Sequence, residues 1–340
     1  MAIRTEVYSY QEFHLNSSSY FNKCWYRPES SSLPIDTSFV YIEPVSIAAG
    51  FLYCAESAVG AILNFLVIIV LLKSKKLRKE YLSPSIINIA LTDFLYSIFV
   101  LPVLSLRFYM KDEPLPSGCA SYSFFAYGLW LCSAWNLLGI AILRCARIYY
   151  PSPGKREIFR RSSLAMSLIS WTISLISLLP TKMGKYGQFG FVCQTFGCQF
   201  IDVNEDGTKT GIDPQTTYGI TVIVIGAGIT VINIITYIKL RKTANEIYQG
   251  SKDTDENKAK EKRSKKEKFL GKVMGRITIT FLLMYVMMIT LRIAIPKGNP
   301  YAALVCYLTV NSIVVIDPIV HIISQQIYRQ KIKSLFWGLI

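Results

Sequence analysis

Histidine is scarce in this chain: His14 and His321 are the only two, and they stand far apart. No His, Cys, Asp and Glu fall at metal-ligand spacing, no glycine loop has a phosphate-binding pattern, and no nucleophile motif occurs. The expectation is a protein with no catalytic residues, not an enzyme. Charge is scarce as well. Only 17% of the 340 residues are charged, against 51% hydrophobic, a low share beside soluble domains. Acids are the rarer sign, 22 against 37 Lys and Arg, for a net charge of +15. Residues 1–40 lack an apolar core, so no cleavable leader pattern is expected there. No internal repeat stands out, which counts against a transporter built from inverted repeats.

What is present is apolar sequence in long blocks. Seven run at about 44–72, 82–106, 119–143, 162–180, 217–240, 270–292 and 301–324. Each approaches the roughly 20 residues a helix needs to cross about 30 Å of hydrocarbon. Helix is the form expected, because lipid offers no partner to an unpaired backbone group. A soluble helical protein can bury one or two such segments, not seven.

The basic residues assign the sides. Lys73, Lys75, Lys76, Arg78 and Lys79 follow the first block, and Arg147, Lys155, Arg156, Arg160 and Arg161 follow the third. Thirteen Lys and Arg lie from Lys239 to Arg276, and three more follow the seventh block. Those 26 of the 37 basic residues share one side, whereas nucleic-acid binding would ask for a basic patch on a folded surface. Basic loops stay cytoplasmic. Seven spans then put the N-terminus outside and the C-terminus inside. The expected organisation is an extracellular tail 1–43, a seven-span bundle 44–324 with a long outer loop 181–216 and a basic inner loop 241–269, and a segment 325–340. In that last segment Ile327, Tyr328, Ile332, Leu335, Phe336 and Trp337 interleave with Arg329, Lys331 and Lys333, which favours an amphipathic helix on the inner leaflet over a polar tail. Asn16-Ser17-Ser18 in the outer tail is a glycosylation sequon. Cys24, Cys119, Cys193 and Cys198 fall on the oxidising side, where three pairings are open. Cys54, Cys132, Cys145 and Cys306 lie in or beside spans.

Polar groups within the bilayer are costly, so each needs a reason. They are Glu56, Asn64, Asp93, Asn233, Asp317 and His321, with Arg144 at the inner end of the third block. Their spacing is distinctive. Asn64 is followed by Val67. Asn88-Ile-Ala-Leu-Thr-Asp93 precedes Pro102 by nine residues from the Asp. Cys119 precedes Arg144 by 25 residues, with Ile148 and Pro151 at +4 and +7. Trp171 precedes Pro180 by nine. Asp317-Pro318-Ile-Val-His321 is followed by Tyr328-Arg329.

Together, in order across five blocks, these residues resemble the rhodopsin-like family of G-protein-coupled receptors over roughly 44–337. The run Leu143–Pro151 is similar to that of invertebrate orphan receptors near the melatonin-like branch. The resemblance implies a plasma-membrane receptor that turns binding of an extracellular ligand into activation of a heterotrimeric G protein, with arrestin as a further partner. It implies a polar centre of Asn64, Asp93, Ser133 and Asp317, which in the family often holds a sodium ion, and no other cofactor. Two carboxylates, an amide and a hydroxyl suit a hard cation, though Asp93 and Asp317 can also be neutral, hydrogen-bonded carboxyls. It implies an activation switch and G-protein contact of Arg144, Ile148, Pro151, Tyr237, Asp317, Pro318 and His321, with ordinary snorkelling the alternative for Arg144. It implies a disulfide from Cys119 to Cys193 or Cys198, the remaining cysteine being open to Cys24.

The chain departs from the pattern in places. Leu143 and Cys145 flank Arg144 where the family has an acid and an aromatic, which raises the prospect of basal activity or altered coupling. His321 replaces a Tyr. The fifth block has Gly226 and Gly228 and no proline. The sixth lacks its Trp-x-Pro pair, with Tyr285 as either a switch or a packed aromatic.

For the ligand, Ala126 takes the place of the amine counter-ion, which excludes a biogenic amine by this resemblance. Asn311 takes the place of the retinal lysine. The expected cavity wall is Tyr122, Ala126, Tyr127, Trp130, Tyr285, Tyr301, Tyr307 and Asn311, suited to a neutral, lipid-like or peptide ligand. Arg107 and Arg292 near outer ends either bind a carboxylate or snorkel to the interface, the latter favoured. Glu56 is expected as a packed polar group. Two other readings stay open: a seven-helix decoy or scaffold that does not couple, and a channel or transporter.

Overall fold

A computed structural model of the chain describes residues 43–110, 118–150, 156–192, 197–201, 214–249, 300–324 and 326–337. The sixth block, the tail with Asn16 and Cys24, Cys193, Pro151, Tyr285 and Arg292 lie outside these residues. The helices are α1 Glu43–Lys73, α2 Lys75–Arg78, α3 Ser83–Leu95, α4 Leu101–Met110, α5 Cys119–Tyr149, α6 Arg156–Lys182, α7 Pro214–Gln249, α8 Pro300–Asn311, α9 Ile313–Ser324 and α10 Gln326–Trp337. Two strands, β1 Gln188–Val192 and β2 Gly197–Ile201, form an antiparallel hairpin in the long outer loop.

Five helical stretches among the described residues are long and apolar enough to cross a membrane: Pro44–Lys73, Ser83–Tyr109, Cys119–Tyr149, Arg156–Lys182 and Pro214–Lys242. A shorter apolar stretch, Tyr307–Ile323, lies in the seventh block. Their burial is inverted relative to a soluble protein. Phe51, Leu168 and Val224 are more than 60% exposed, while Asp93, Asn136 and Arg144 are at most 4% exposed. Apolar groups outward and polar groups inward is the arrangement a hydrocarbon solvent favours.

Proline shapes two spans. The second block is one continuous path made of α3, a π turn at Tyr96–Val100, and α4. Pro102 has no N–H to offer and disturbs the ladder before it. The chain answers with a wide turn in which the Leu101 amide reaches back to the Tyr96 carbonyl. Carbonyls there take side-chain donors instead: Ser57 Oγ donates to Ser97 O at 2.7 Å, and Tyr122 Oη to Val100 O at 3.3 Å.

The seventh block runs through α8 and α9, and the helical ladder continues across Ser312, whose amide bonds Leu308 O and whose carbonyl accepts from Ile316 N, both at 3.0 Å. Ser312 Oγ donates to the Thr309 carbonyl at 2.8 Å. Pro318 withholds the donor that Val314 O would use one turn earlier, and Asn64 Nδ2 supplies it from α1 at 2.8 Å.

The third span is the hub. Asn136 Nδ2 donates to Ser85 O at 2.7 Å, and Ser167 Oγ of α6 donates to Asn136 Oδ1 at 3.2 Å. Ser163, Ser167, Ser170 and Ser174 form the buried face of α6. Small side chains there let the helices approach closely. Gly139 shows the same closeness: a Cβ on it would meet Met166 at 3.2 Å. Trp171 Nε1 donates to Asn88 Oδ1 at 2.7 Å, joining α6 to α3.

On the inner side, the Arg147 guanidinium lies over the rings of Tyr81 and Phe159, 5.5 and 5.2 Å from their centroids. The hydroxyl of Ser83 donates to the Leu77 carbonyl and closes the short turn after α2. In α10, Tyr328 is buried and Ile332 partly so, while Arg329, Gln330 and Lys331 are exposed. That is the amphipathic division the sequence called for, and burial holds the Tyr328 phenol above its ordinary pKa.

Candidate functional site

The bundle carries three polar or aromatic assemblies, stacked from outside to inside.

The outer one is aromatic. Cys119, at the start of α5, is bonded to Cys198 in β2, which selects one of the two expected partners. In the hairpin Phe189 stands opposite Phe200. Side chains alternate along a strand, so Cys198 and Phe200 share a face. That face turns inward: all of Phe189, Cys198 and Phe200 are 6% exposed. Tyr127 of α5 meets Phe200 at 4.6 Å, Phe189 at 6.0 Å and Tyr218 of α7 at 5.1 Å between centroids. Trp130 lies 6.3 Å from Tyr218. The outer loop therefore fills part of the expected cavity with its own rings. Phe189, Phe200 and Tyr218 were absent from the sequence-derived wall. The signal available was the alternation Cys198, Phe200 beside the disulfide.

Two expected wall residues turn elsewhere. Tyr122 points to the second span, bonding Val100 O, and Asn311 Oδ1 accepts from Tyr96 Oη at 2.7 Å. Ala126 and Tyr307 are partly buried. Only the backbone of Tyr301 is described.

Arg107 does not snorkel, and this corrects the expectation. It is fully buried, its guanidinium 4.5 Å above the Tyr122 ring, with Nη2 donating to Cys198 Sγ at 2.9 Å. The reason is the disulfide-held hairpin: it covers the outer end of α4, so the charge meets ring and sulfur rather than headgroups.

The middle assembly contains Asn64, Asp93, Ser133 and Asp317, each at most 9% exposed. Asn64 spends its amide nitrogen on Gly60 O and Val314 O, leaving its oxygen as the acceptor. Asp93 Oδ2 and Asp317 Oδ1 are buried oxygens with no hydrogen-bond partner. Such a donor set, all oxygen and doubly acidic, fits a small hard cation. No group of three or more His, Cys, Asp and Glu able to hold a metal occurs among the described residues.

The inner assembly centres on Arg144, 2% exposed at the inner end of α5, with Leu143 buried beside it and Ile148 partly buried. His321 on α9 is 4% exposed. Tyr237 lies apart from these, on the lipid-facing side of α7 at 64% exposure. Gly226 and Gly228 do not interrupt α7, which is continuous from Pro214 to Gln249. A Cβ on Gly228 would touch Leu138 at 3.5 Å, an ordinary contact.

A bundle of this architecture, with a disulfide-pinned outer hairpin and a buried arginine at the inner end of its third span, defines a seven-helix membrane receptor. Residues 63–321 match the model of the seven-transmembrane receptor (rhodopsin family), and the chain belongs to that family. It is 25% identical over 167 residues to protein trapped in endoderm-1 of Drosophila melanogaster, covering 48% of this chain and 42% of that one. It is 30% identical over 172 residues to the G-protein coupled receptor moody of Drosophila pseudoobscura pseudoobscura, 49% of this chain and 24% of that one. A melanopsin-like protein of Danio rerio is 32% identical over 130 residues, 37% of this chain and 25% of that one. The matches thus span less than half the length of each relative. Squid rhodopsin shares the fold, with a TM-score of 0.72 over 93% of this chain and 92% of that one at 18% identity.

Proposed function

We propose that the chain is a plasma-membrane receptor, N-terminus outside, that converts binding of an extracellular ligand into activation of a heterotrimeric G protein. The observation that carries this reading is the burial of Arg144 at the inner end of the third span. Ionisable groups inside a membrane bundle are rare and mark functional positions by default. A ligand that binds the second state more tightly shifts the bundle toward it. Arg144, Ile148 and Pro151 then form the inner contact, with Asp317, Pro318 and His321 as the seventh-span part of the switch and Tyr237 moving in from the lipid side. Arrestin would use the same opening. Asn64, Asp93, Ser133 and Asp317 would hold a sodium ion in the resting state.

The ligand is neutral, lipid-like or peptide. Ala126 gives an ammonium no counter-ion, and Asn311 gives retinal no amine. The closed aromatic stack at Tyr127 favours a ligand that can displace Phe189 and Phe200 with apolar groups of its own.

Co-purification tests the reading. The native chain in lipid should retain a nucleotide-free heterotrimer from a panel of G proteins, and Arg144→Ala should lose it. A second reading, a receptor-shaped decoy, has one observation in its favour: Leu143 stands buried where the family has the acid that restrains the arginine. It predicts no retained heterotrimer from either form.

A further inference from the structure

The first span ends in a run of cations. Lys73, Lys75, Lys76, Arg78 and Lys79 are all exposed. The residues between and after them fasten the turn to the bundle: Ser74, Leu77, Tyr81 and Leu82 are each at most 6% exposed. Ser74 Oγ accepts from the Leu77 amide at 3.4 Å, and the Ser83 hydroxyl donates to the Leu77 carbonyl. The backbone under the charges is therefore fixed while the charges themselves stand outward.

Nearby cations are engaged within the chain. Arg160 and Arg161 meet Glu157 at 2.9 and 3.4 Å, and Arg147 lies over the rings of Tyr81 and Phe159. Glu80 is the one acid between Lys73 and Leu82, and Arg156 meets it at 3.7 Å. Arg78 reaches back to the Leu72 carbonyl at 3.4 Å. The four lysines of the run make no ion pair among the described residues.

A second basic element lies at the same level. Asn64 of α1 bonds Val314 of α9, and from that pair α1 runs on to Lys73 and α9 to Ser324, nearly the same number of residues. The two spans run the same way and rise about 1.5 Å per residue, so their ends are level. There α10 begins, packs against α1 and exposes Arg329 and Lys331. Apolar surface leads up to the lysines from within the bilayer: Ile62, Phe65 and Leu72 share one face of α1 and are 60%, 50% and 51% exposed.

We propose that the turn Lys73–Lys79 binds a lipid headgroup that carries several phosphates, with the acyl chains along Ile62, Phe65 and Leu72. Cations clustered just beyond a span attract such headgroups. Each ammonium brings three donors to phosphate oxygens. A headgroup of single charge leaves most of these lysines unanswered. The pinned backbone lowers the ordering cost of binding, and Arg329 and Lys331 add to the field. The site rests on the receptor reading for the leaflet it meets, since that reading turns this end toward the cytoplasm.

The test titrates the full chain, in neutral detergent micelles, with a phosphatidylinositol bisphosphate fluorescent in its tail, and follows its displacement by unlabelled competitors. Unlabelled phosphatidylinositol bisphosphate should displace it at least about tenfold more tightly than phosphatidylserine at equal total charge. Changing Lys75, Lys76 and Lys79 together to Gln should weaken binding about tenfold or more, and changing the same three to Arg should retain it. A control with Lys239, Arg241 and Lys242 changed to Gln removes equal charge at the end of another span and should leave binding within about twofold. Equal losses in the two Gln triples overturn the proposal, because any basic end would then serve. Equal displacement by phosphatidylserine overturns it too. Soluble inositol trisphosphate as tight as the lipid overturns the lipid as occupant. If the Gln triple at Lys75, Lys76 and Lys79 does not fold, Lys75→Gln with Lys76→Gln decides by the same criteria. The assay needs no G protein and no cellular orientation. Loss of Arg144-dependent exchange with lipid binding intact removes the receptor reading alone; the opposite result removes the lipid site alone.

Discussion

Asn64 donates its side-chain amide to the carbonyl of Val314, 250 residues away in sequence and 2.8 Å away in space. That carbonyl is the one Pro318 leaves without a helical donor. An asparagine in the first span and a proline in the seventh thus make one unit. Asn64→Ala should lower stability by about 1–3 kcal/mol, the cost of an orphaned buried acceptor. Pro318→Ala on that background restores an N–H within the helix and should recover part of the loss. Thermal unfolding of the four forms gives the cycle; strictly additive effects would contradict the pairing.

Gly60 permits the closest approach of the first span to its neighbours. Gly60→Ala should destabilise by about 1–3 kcal/mol, because Ser97 Oγ is held by the Asp93 carbonyl at 2.7 Å and cannot simply turn away. Adding Ser97→Ala removes the atom in the way and should relieve most of the cost. The unfolding midpoints of the single and double variants check this.

Phe200 plugs the outer cavity. Phe200→Ala should remove its contacts with Tyr127, Phe189 and Tyr218 and cost about 3–5 kcal/mol if the site does not collapse. Hydrogen exchange in 188–201 should speed up while exchange in α3 stays unchanged. Unaltered protection of the hairpin would show that the disulfide alone holds it.

Arg107 is bound by ring and sulfur together, so its replacement is expected to act on the loop. Arg107→Ala should lower the unfolding temperature and also loosen the hairpin in exchange measurements, since the cation–π contact and the bond to Cys198 are both lost. Charge alone should not rescue it: a lysine lacks the planar fork that spans Tyr122 and Cys198. Full recovery in Arg107→Lys would argue against that geometry.

The spans were legible because bilayer thickness dictates run length. The burial of Asn64, Asp93 and Asp317 was legible too, since such residues are rare in apolar blocks and a bundle in lipid turns them inward. What escaped was what depends on distant partners. Nothing local tells that Asn64 completes Val314. The hairpin pairs Phe189 with Phe200 across a loop, and only that register turns both rings onto Tyr127. Arg107 was misplaced for the same reason: its burial is made by a loop that the disulfide folds over it.

The most direct test of the receptor account is nucleotide exchange on a full panel of heterotrimeric G proteins, reconstituted with the native chain or with Arg144→Ala. The account predicts that at least one G protein exchanges faster with the native chain, and that this gain disappears with Arg144→Ala. Exchange at background from every G protein, or a gain indifferent to Arg144→Ala, would contradict it.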